Sequence, residues 1–327
     1  MTTRIETLHN WLENEIELGN YSLTVASADA SFRRYFRLVH QGETYIVMDA
    51  PPQHEDCWAF IDISTRLLEC GLNVPVVYEQ NLEDGFLLLS DLGEDLFLDN
   101  LNDSNADELY KSAIHSLLTM QTQARVAGLP AYDESLLFSE MQLFRDWLLN
   151  KHLQIDLGKE ENRQLDTVFA ILSTSALQQQ QVFVHRDFHS RNLLVNEGGP
   201  GIIDYQDAVL GPLSYDLVSL LKDCYIKWPR HKIDEWLAYY LQQNEELKLL
   251  GPVMPELIKD FDLMGVQRHL KASGIFARLY LRDGKDGYLA DIPRTLSYII
   301  DLEQDYPELG FLTTLIRTRV LPALEAK

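Results

Sequence analysis

The chain has 327 residues, of which 46% are hydrophobic and 24% are charged, and its net charge at pH 7 is −22. These proportions are ordinary for a folded protein, and the length is sufficient for two lobes with separate hydrophobic cores. Nucleic acid and anionic membrane surfaces repel such an acidic chain, so we expect it to bind neither.

Cysteine usage and hydropathy indicate the compartment. Cys57, Cys70 and Cys224 are isolated in the sequence, odd in number, and spaced neither as metal ligands nor as a disulfide framework. The first residues form no basic, apolar leader, and no apolar run approaches the roughly 20 residues of a membrane-spanning helix. We therefore expect a cytoplasmic protein.

The first ninety residues combine two predicted helices with five predicted strands. Hydrophobic side chains recur at helical spacing over residues 2–18, and residues 55–70 also indicate a helix. Alternating hydrophobic and polar residues predict antiparallel strands over residues 21–25, 34–39, 44–48, 75–78 and 85–89. Residues 1–90 are therefore predicted to form a small N-lobe built on an antiparallel sheet.

Beyond a short turn at residues 90–93 (SDLG), the predicted elements are mainly helices. They span residues 104–127, 134–152, 160–180, 213–227, 231–248, 255–282 and 310–325. This order predicts an α+β fold with two lobes, in which residues 91–327 form a mostly helical C-lobe.

The most informative segment, residues 185–192 (HRDFHSRN), is followed by Asp204 at the end of a short apolar run. Phosphoryl transfer from a nucleotide uses this spacing: one carboxylate orients the attacking hydroxyl, while an Asn and a second carboxylate bind magnesium. Magnesium prefers oxygen ligands and takes few from the protein, because phosphates and water complete its shell. We therefore predict Asp187 as the catalytic base and Asn192 and Asp204 as ligands of Mg²⁺.

The local pattern around this segment supports that interpretation. Residues 182–184, 193–195 and 201–203 are predicted to be short strands, and residues 196–200 (NEGGP) form a turn between the last two. The polar residues then lie on loops at strand ends, where a rigid frame holds them. The alternative is that the Asp and Asn side chains only cap turns, and the complete spacing argues against it.

With these residues the chain resembles the aminoglycoside phosphotransferase and choline kinase family, which has a protein-kinase-like fold. The resemblance is strongest in residues 185–192 and 204–207 (DYQD). Four further segments resemble the bacterial members that phosphorylate the anomeric C1 hydroxyl of N-acetylmuramate and N-acetylglucosamine, namely residues 28–37 (ADASFRRYFR), 48–52 (MDAPP), 211–217 (GPLSYDL) and 267–271 (QRHLK). The resemblance implies an ATP- and Mg²⁺-dependent sugar kinase acting in cell-wall sugar recycling.

The resemblance also implies roles for residues outside the catalytic loop. The backbone around Asp91 and Leu92 is the expected hinge that binds adenine. Asp216 is expected to accept backbone hydrogen bonds from the catalytic loop, which His185 and Arg186 brace.

The loop of residues 27–34 is expected to cover the nucleotide phosphates, but it departs from the usual pattern. It lacks glycines, and the third strand lacks the Lys that normally contacts the phosphates. Arg33 and Arg34, together with Ser31, are therefore predicted to bind the phosphates, because guanidinium groups chelate phosphate oxygens. The alternative is that both arginines are strand-surface residues paired with acidic neighbours.

Substrate contacts are predicted from proximity in sequence and from helical spacing. The residues near Asp187 that would hydrogen-bond a sugar are His189, Arg191 and Asp207. For His189 and Arg191 the alternative is that they stabilise the loop itself. One predicted helix face carries Arg268, Lys271 and Arg278, which would receive the carboxylate of N-acetylmuramate, or else form a solvated surface. The Trp and Tyr residues at positions 225, 228, 236, 239 and 240 are expected to pack within the helical lobe, with contact to a sugar ring as the alternative.

Two other functions are consistent with parts of the sequence. An aminoglycoside or an amino alcohol of the choline type, as the acceptor, would suit the acidic composition. Such a cationic acceptor would not explain the cationic face of Arg268 and Lys271. A nucleotide-binding pseudokinase would explain the missing Lys, but it would not need Asp187, Asn192 and Asp204 all intact.

Overall fold

The computed structural model describes residues 3–28, 32–246 and 253–327. Its contacts divide the chain into two compact units, Met1–Asp95 with Leu194–Asp207, and Leu96–Leu193 with Ala208–Lys327. No helix within the described part of the chain combines the length and the apolar character that crossing a membrane requires.

The first unit extends beyond the division predicted at residue 90. Its additional segment, Leu194–Asp207, is tied to it by backbone hydrogen bonds. The N–H of Val195 donates to the carbonyl of Asp95 at 2.7 Å, and that of Ile202 to Asn73 at 2.8 Å. These bonds join residues far apart in sequence, so periodicity alone does not reveal them.

The first unit is built on a five-stranded antiparallel sheet in the order β1-β2-β3-β5-β4. Its elements are α1 (Arg4–Asn10), β1 (Tyr21–Ala28), β2 (Arg34–His40), β3 (Glu43–Asp49), α2 (Cys57–Glu69), β4 (Val77–Asn81) and β5 (Phe86–Ser90). These elements match the predicted ones in type and order, because alternation and helical spacing are both regular here.

Helix α1 covers one face of this sheet. Its Thr3 cap accepts the N–H of Glu6, and the Glu6 carboxylate accepts the N–H of Thr3 in return. The helix continues as a wider turn, Trp11–Glu15. Its hydrophobic stripe packs on alternate sheet residues, and the buried side chains are Leu8, Trp11, Leu12, Phe36, Leu38, Val47, Phe86 and Leu88.

The second unit is mostly helical. Its helices are α3 (Phe97–Asn100), α4 (Ala106–Gln123), α5 (Glu134–Leu143), α6 (Lys159–Gln178), α7 (Tyr215–Leu221), α8 (Arg230–Glu246), α9 (Met254–Asp283), α10 (Ile292–Ile300), α11 (Gly310–Leu315) and α12 (Leu321–Glu325). Helix α5 continues as a π-helical segment, Phe144–Leu153, and a second such segment, Ile316–Val320, joins α11 to α12. The observed elements give the predicted α+β fold class.

Four short strands accompany the catalytic loop, β6 (Gln181–Val184), β7 (Leu193–Leu194), β8 (Gly201–Ile202) and β9 (Val209–Pro212). Strand β6 pairs antiparallel with β9, and β7 pairs with β8. The sequence analysis missed β9, whose Gly211 and Pro212 are signals against a strand. It also missed α10, although Ile292, Leu296 and Ile299 are spaced as on one face of a helix.

Helix α9 is the centre of the second unit. Its buried residues Leu263, Val266, Leu270 and Phe276 share one core with side chains of α5, α6, α10 and α11. The backbone of α9 approaches the junction of α5 and its π-helical extension so closely that a Cβ on Gly274 would lie 2.2 Å from the carbonyl carbon of Leu143. Gly274 is therefore the residue that permits this packing.

We expect Gly274→Ala to lower the free energy of unfolding by about 1–3 kcal/mol, because the atoms it meets are backbone and have no rotamer to adopt. Thermal and urea unfolding would measure the loss. The matched control is Gly287→Ala, since a Cβ there meets no atom within 4 Å. Equal stability of the two variants would contradict the close approach.

Candidate active site

The predicted catalytic loop, residues 185–192 between β6 and β7, is held by a buried carboxylate. Asp216, in the first turn of α7, accepts the backbone N–H groups of His185 at 2.6 Å and Arg186 at 3.0 Å. These are the hydrogen bonds predicted for Asp216. Burial raises the pKa of Asp216 to about 7. The bonds also hold Arg186 at φ +79°, a backbone conformation that residues other than Gly rarely adopt.

A second buried carboxylate, which the sequence analysis did not single out, holds the other end of the loop. Asp223 accepts the N–H of Ser190 at 3.0 Å, the Ser190 hydroxyl at 2.5 Å and the N–H of Tyr225 at 2.9 Å. The N–H of Leu98 in α3 donates to the carbonyl of Ser190 at 3.0 Å. A single Asp after a helix has no distinctive spacing, so only the fold identifies this role.

Between these anchors the side chain of Asp187 retains 41% of its exposure. Burial by itself would raise the pKa of Asp187, but the basic groups around it, foremost Lys271, followed by His189 and Arg268, lower it below the usual range. The group is therefore an ionised carboxylate at neutral pH. It can accept a hydrogen bond from a hydroxyl group.

The two predicted magnesium ligands belong to different units. In the second unit, the amide nitrogen of Asn192 donates to the carbonyl of Asp187 at 3.0 Å, which fixes the orientation of the amide. In the first unit, Asp204 has φ +65° and accepts a hydrogen bond from Gln206 at 2.9 Å. An amide oxygen and a carboxylate are both hard oxygen donors, the kind of ligand that magnesium prefers.

Asp187 opens into a pocket formed by residues of the second unit. The lining side chains are Asp187, His189, Tyr215, Cys224, Tyr225, Arg268, Lys271, Ala272, Ile275 and Phe276. The structure thus brings two of the predicted substrate residues, His189 and Arg268, together with Asp187. It also gives Tyr225 a place in the pocket wall. A carboxylate, two cations and an aromatic wall are together suited to a small polar ligand.

The other two predicted substrate residues are placed differently. The guanidinium of Arg191 stacks on the ring of Tyr225 at 4.1 Å and lies 5.3 Å from that of Tyr288, so it supports the aromatic wall. Asp207 belongs to the first unit, is exposed, and accepts a 3.5 Å hydrogen bond from Gln206.

Arg268 and Lys271 do not form the solvated helix face considered as an alternative, since only 5% and 7% of their surfaces are exposed. The ammonium of Lys271 donates to the Tyr215 hydroxyl at 2.9 Å and pairs with Glu140 at 3.1 Å. Glu140 also pairs with Arg186 at 2.6 Å. The sequence analysis missed Glu140, which lies in α5 far from the motif.

The two arginines proposed for phosphate binding have acidic partners in the first unit. Arg33 is buried and pairs with Glu55 at 2.8 Å. The guanidinium of Arg34 donates to Asp49 at 3.0 Å. Acidic pairing is what the strand-surface alternative describes, and Arg34 in β2 fits it, whereas Arg33 is buried and precedes the strand. Ser31 lies outside the described residues.

The residues predicted to form the hinge are held by side chains of the first unit. Asp91 accepts two hydrogen bonds from Arg37, at 2.6 and 2.9 Å, and one from the N–H of Gly93 at 3.0 Å. Burial opposes the charge on Asp91, but these hydrogen bonds lower its pKa overall. The carbonyl of Leu92 accepts the amide of Asn196 at 3.1 Å. The Asp91 side chain therefore fixes the backbone of residues 91–93.

Comparison with known proteins identifies the family. A model described as "Phosphotransferase enzyme family" matches residues 22–256. Proteins named N-acetylmuramate/N-acetylglucosamine kinase from Pseudomonas putida and Pseudomonas aeruginosa are 42% and 43% identical to this chain, and each match covers 96% of both chains. A solved ethanolamine kinase of Plasmodium vivax is 12% identical, with a TM-score of 0.67 over 97% of this chain and 90% of its own.

These matches confirm the predicted family and the protein-kinase-like fold. The relatives above 40% identity cover nearly the whole chain, so the resemblance extends well beyond the catalytic motif. The chain belongs to the phosphotransferase enzyme family and is a small-molecule kinase.

Proposed function

We propose that this protein is an ATP- and Mg²⁺-dependent sugar kinase that phosphorylates the anomeric C1 hydroxyl of N-acetylmuramate and N-acetylglucosamine. The observation that carries the proposal is the ionised Asp187 at a pocket that also contains His189, Arg268 and the aromatic wall of Tyr225. The names of the relatives from both Pseudomonas species support N-acetylmuramate and N-acetylglucosamine as the acceptors. The product, a sugar 1-phosphate, suits cytoplasmic recycling of cell-wall sugars.

The proposed mechanism is in-line transfer of the γ-phosphoryl group. The carboxylate of Asp187 accepts a hydrogen bond from the C1 hydroxyl and directs its oxygen towards phosphorus. As the new P–O bond forms, the hydroxyl proton passes to Asp187 and the bond to ADP breaks. The buried carboxylates of Asp216 and Asp223 keep the loop rigid, so the alignment is established before reaction.

Asn192 and Asp204 are the proposed ligands of magnesium, which when bound would offset the charge of the phosphates. On the nucleotide, the backbone around Asp91 and Leu92 is proposed to contact adenine. The loop containing Ser31, together with Arg33 and Arg34, is proposed to contact the phosphates. His189 and Arg191 are proposed to contact or support the sugar. A role for Asp207 in sugar binding is also proposed, though no contact in the pocket supports it.

A cationic acceptor is less compatible with this pocket. An aminoglycoside or an amino alcohol would bring positive charge beside the buried cations Arg268 and Lys271. Repulsion between like charges in a poorly solvated pocket costs several kcal/mol. The anionic and neutral amino sugars avoid this cost.

We expect ATP-dependent ADP release with N-acetylmuramate and N-acetylglucosamine, but little with glucose, kanamycin or choline. Phosphorus NMR should identify an anomeric phosphate in the product.

Asp187→Asn should lower kcat by roughly 10²–10⁴-fold while nucleotide binding persists, because the amide cannot take the proton. Turnover of only kanamycin or choline would contradict the proposed acceptor, and full activity of Asp187→Asn would contradict the proposed base.

The pH dependence should reveal the charge around Asp187. Because Lys271 lowers the pKa of this carboxyl, protonation of Asp187 itself should reduce kcat/KM of the wild type only well below neutral pH. Removing the charge in Lys271→Met should raise the pKa, so the ascending limb should move to higher pH. Lys271→Arg, which keeps the charge, should leave the limb in place, and identical profiles for Lys271→Met and wild type would refute this coupling.

Arg34→Ala tests phosphate binding. If Arg34 contacts the phosphates, its removal should raise KM for ATP by about tenfold, as expected for loss of a charged hydrogen bond, with little change in KM for the sugar. Steady-state kinetics with each substrate varied in turn would separate the two constants. If Arg34 only pairs with Asp49, the unfolding midpoint will fall while KM for ATP stays constant.

A further inference from the structure

Helix α9 places two cations one turn apart in the pocket of Asp187. Arg268 and Lys271 are both more than nine-tenths buried, and both line the pocket. A buried cation needs an anionic partner or strong hydrogen bonds, because removal from water is costly. The two residues differ in how the protein meets this requirement.

Lys271 has its partners within the protein. Its ammonium donates to the hydroxyl of Tyr215 at 2.9 Å and pairs with the carboxylate of Glu140 at 3.1 Å. Glu140 is itself held by Arg186 at 2.6 Å and by the Tyr132 hydroxyl. Lys271 is therefore part of a closed network that fixes its position.

Arg268 lacks such a partner. Among the described residues, no carboxylate lies within ion-pair distance of its guanidinium, and its one hydrogen bond reaches the Cys224 sulfur at 3.5 Å. Its Nε, also buried, has no hydrogen-bond partner there. Burial raises the pKa of the Cys224 thiol, so the sulfur is not an anion. A guanidinium has five N–H donors in a planar fork, and this one is largely unused.

We propose that Arg268 is the subsite for a carboxylate on the acceptor sugar. The ligand class is an N-acylated amino sugar bearing a carboxylate, as in N-acetylmuramate, which differs from N-acetylglucosamine by a lactyl ether with one carboxylate. The planar fork suits bidentate binding of that group. The inference rests on the proposed function and adds the residue that distinguishes its two acceptors.

The surroundings of Arg268 favour a strong pair. The pocket that Arg268 lines is also lined by Ile275, Phe276 and Tyr225, and Phe276 stacks on Tyr288 with ring centres 5.6 Å apart. Apolar walls exclude water and strengthen charge-assisted hydrogen bonds. An acceptor without a carboxylate leaves the arginine unpaired, so the pocket discriminates by charge as well as by shape.

The test compares kcat/KM for N-acetylmuramate, its methyl ester and N-acetylglucosamine. The ester keeps the lactyl group and removes the charge. In Arg268→Met the ratio of kcat/KM for the acid to that for the ester should fall by roughly 10- to 100-fold relative to wild type, mainly through KM of the acid. Arg268→Lys, which keeps the charge but not the fork, should show a smaller fall.

The control is Arg278→Met, which removes a cation from the same helix at a position that does not line the pocket and should leave the ratio unchanged. If Arg268→Met does not fold, Arg268→Lys is compared with the wild type instead. The inference is then overturned if the ratio of kcat/KM for the acid to that for the ester is the same in Arg268→Lys as in the wild type. An unchanged ratio in a folded Arg268→Met, with the wild type active on all three acceptors, also overturns it. A wild type inactive on all three acceptors refutes the proposed function instead.

Discussion

The candidate active site depends on two buried carboxylates that accept hydrogen bonds from the backbone of one loop. Asp216 holds the start of the catalytic loop at His185 and Arg186, and Asp223 holds its end at Ser190. Both follow β9 within a short stretch of chain, in or just after α7. A loop with unsatisfied N–H groups would be unstable when buried, so these carboxylates satisfy the backbone and determine the position of Asp187 together.

The charge in the pocket is opposite to that of the chain as a whole. The protein carries a net charge of −22, yet Arg268, Lys271 and Arg186 lie close to Asp187 and lower its pKa. Net charge therefore does not predict the charge of the ligand that a buried site binds. The cations come from α9 and from the loop itself, and Glu140 of α5 fixes two of them.

Helix α9 links packing to chemistry in the second unit. Its apolar residues lie in the main core, Gly274 permits close approach to α5, and Arg268 and Lys271 project into the pocket. The helix is 30 residues long and shares its core with several neighbours, so it is a stiff support for both cations. Side chains on regular elements are held more precisely than those on loops, which suits a site that aligns two reacting groups.

The amino-acid sequence by itself determined the order of the main elements, the antiparallel sheet, the helical second half and the family. Those features depend on local periodicity and on motif spacing, both of which are visible within short windows. Only the tertiary structure decided the roles of Glu140 and Asp223, the burial of Arg268 and Lys271, and the extension of the first unit to include Leu194–Asp207. Each of these depends on contacts between residues distant in the chain. Helical spacing shows that two cations share a face, but only the neighbouring elements determine whether that face meets water or a pocket.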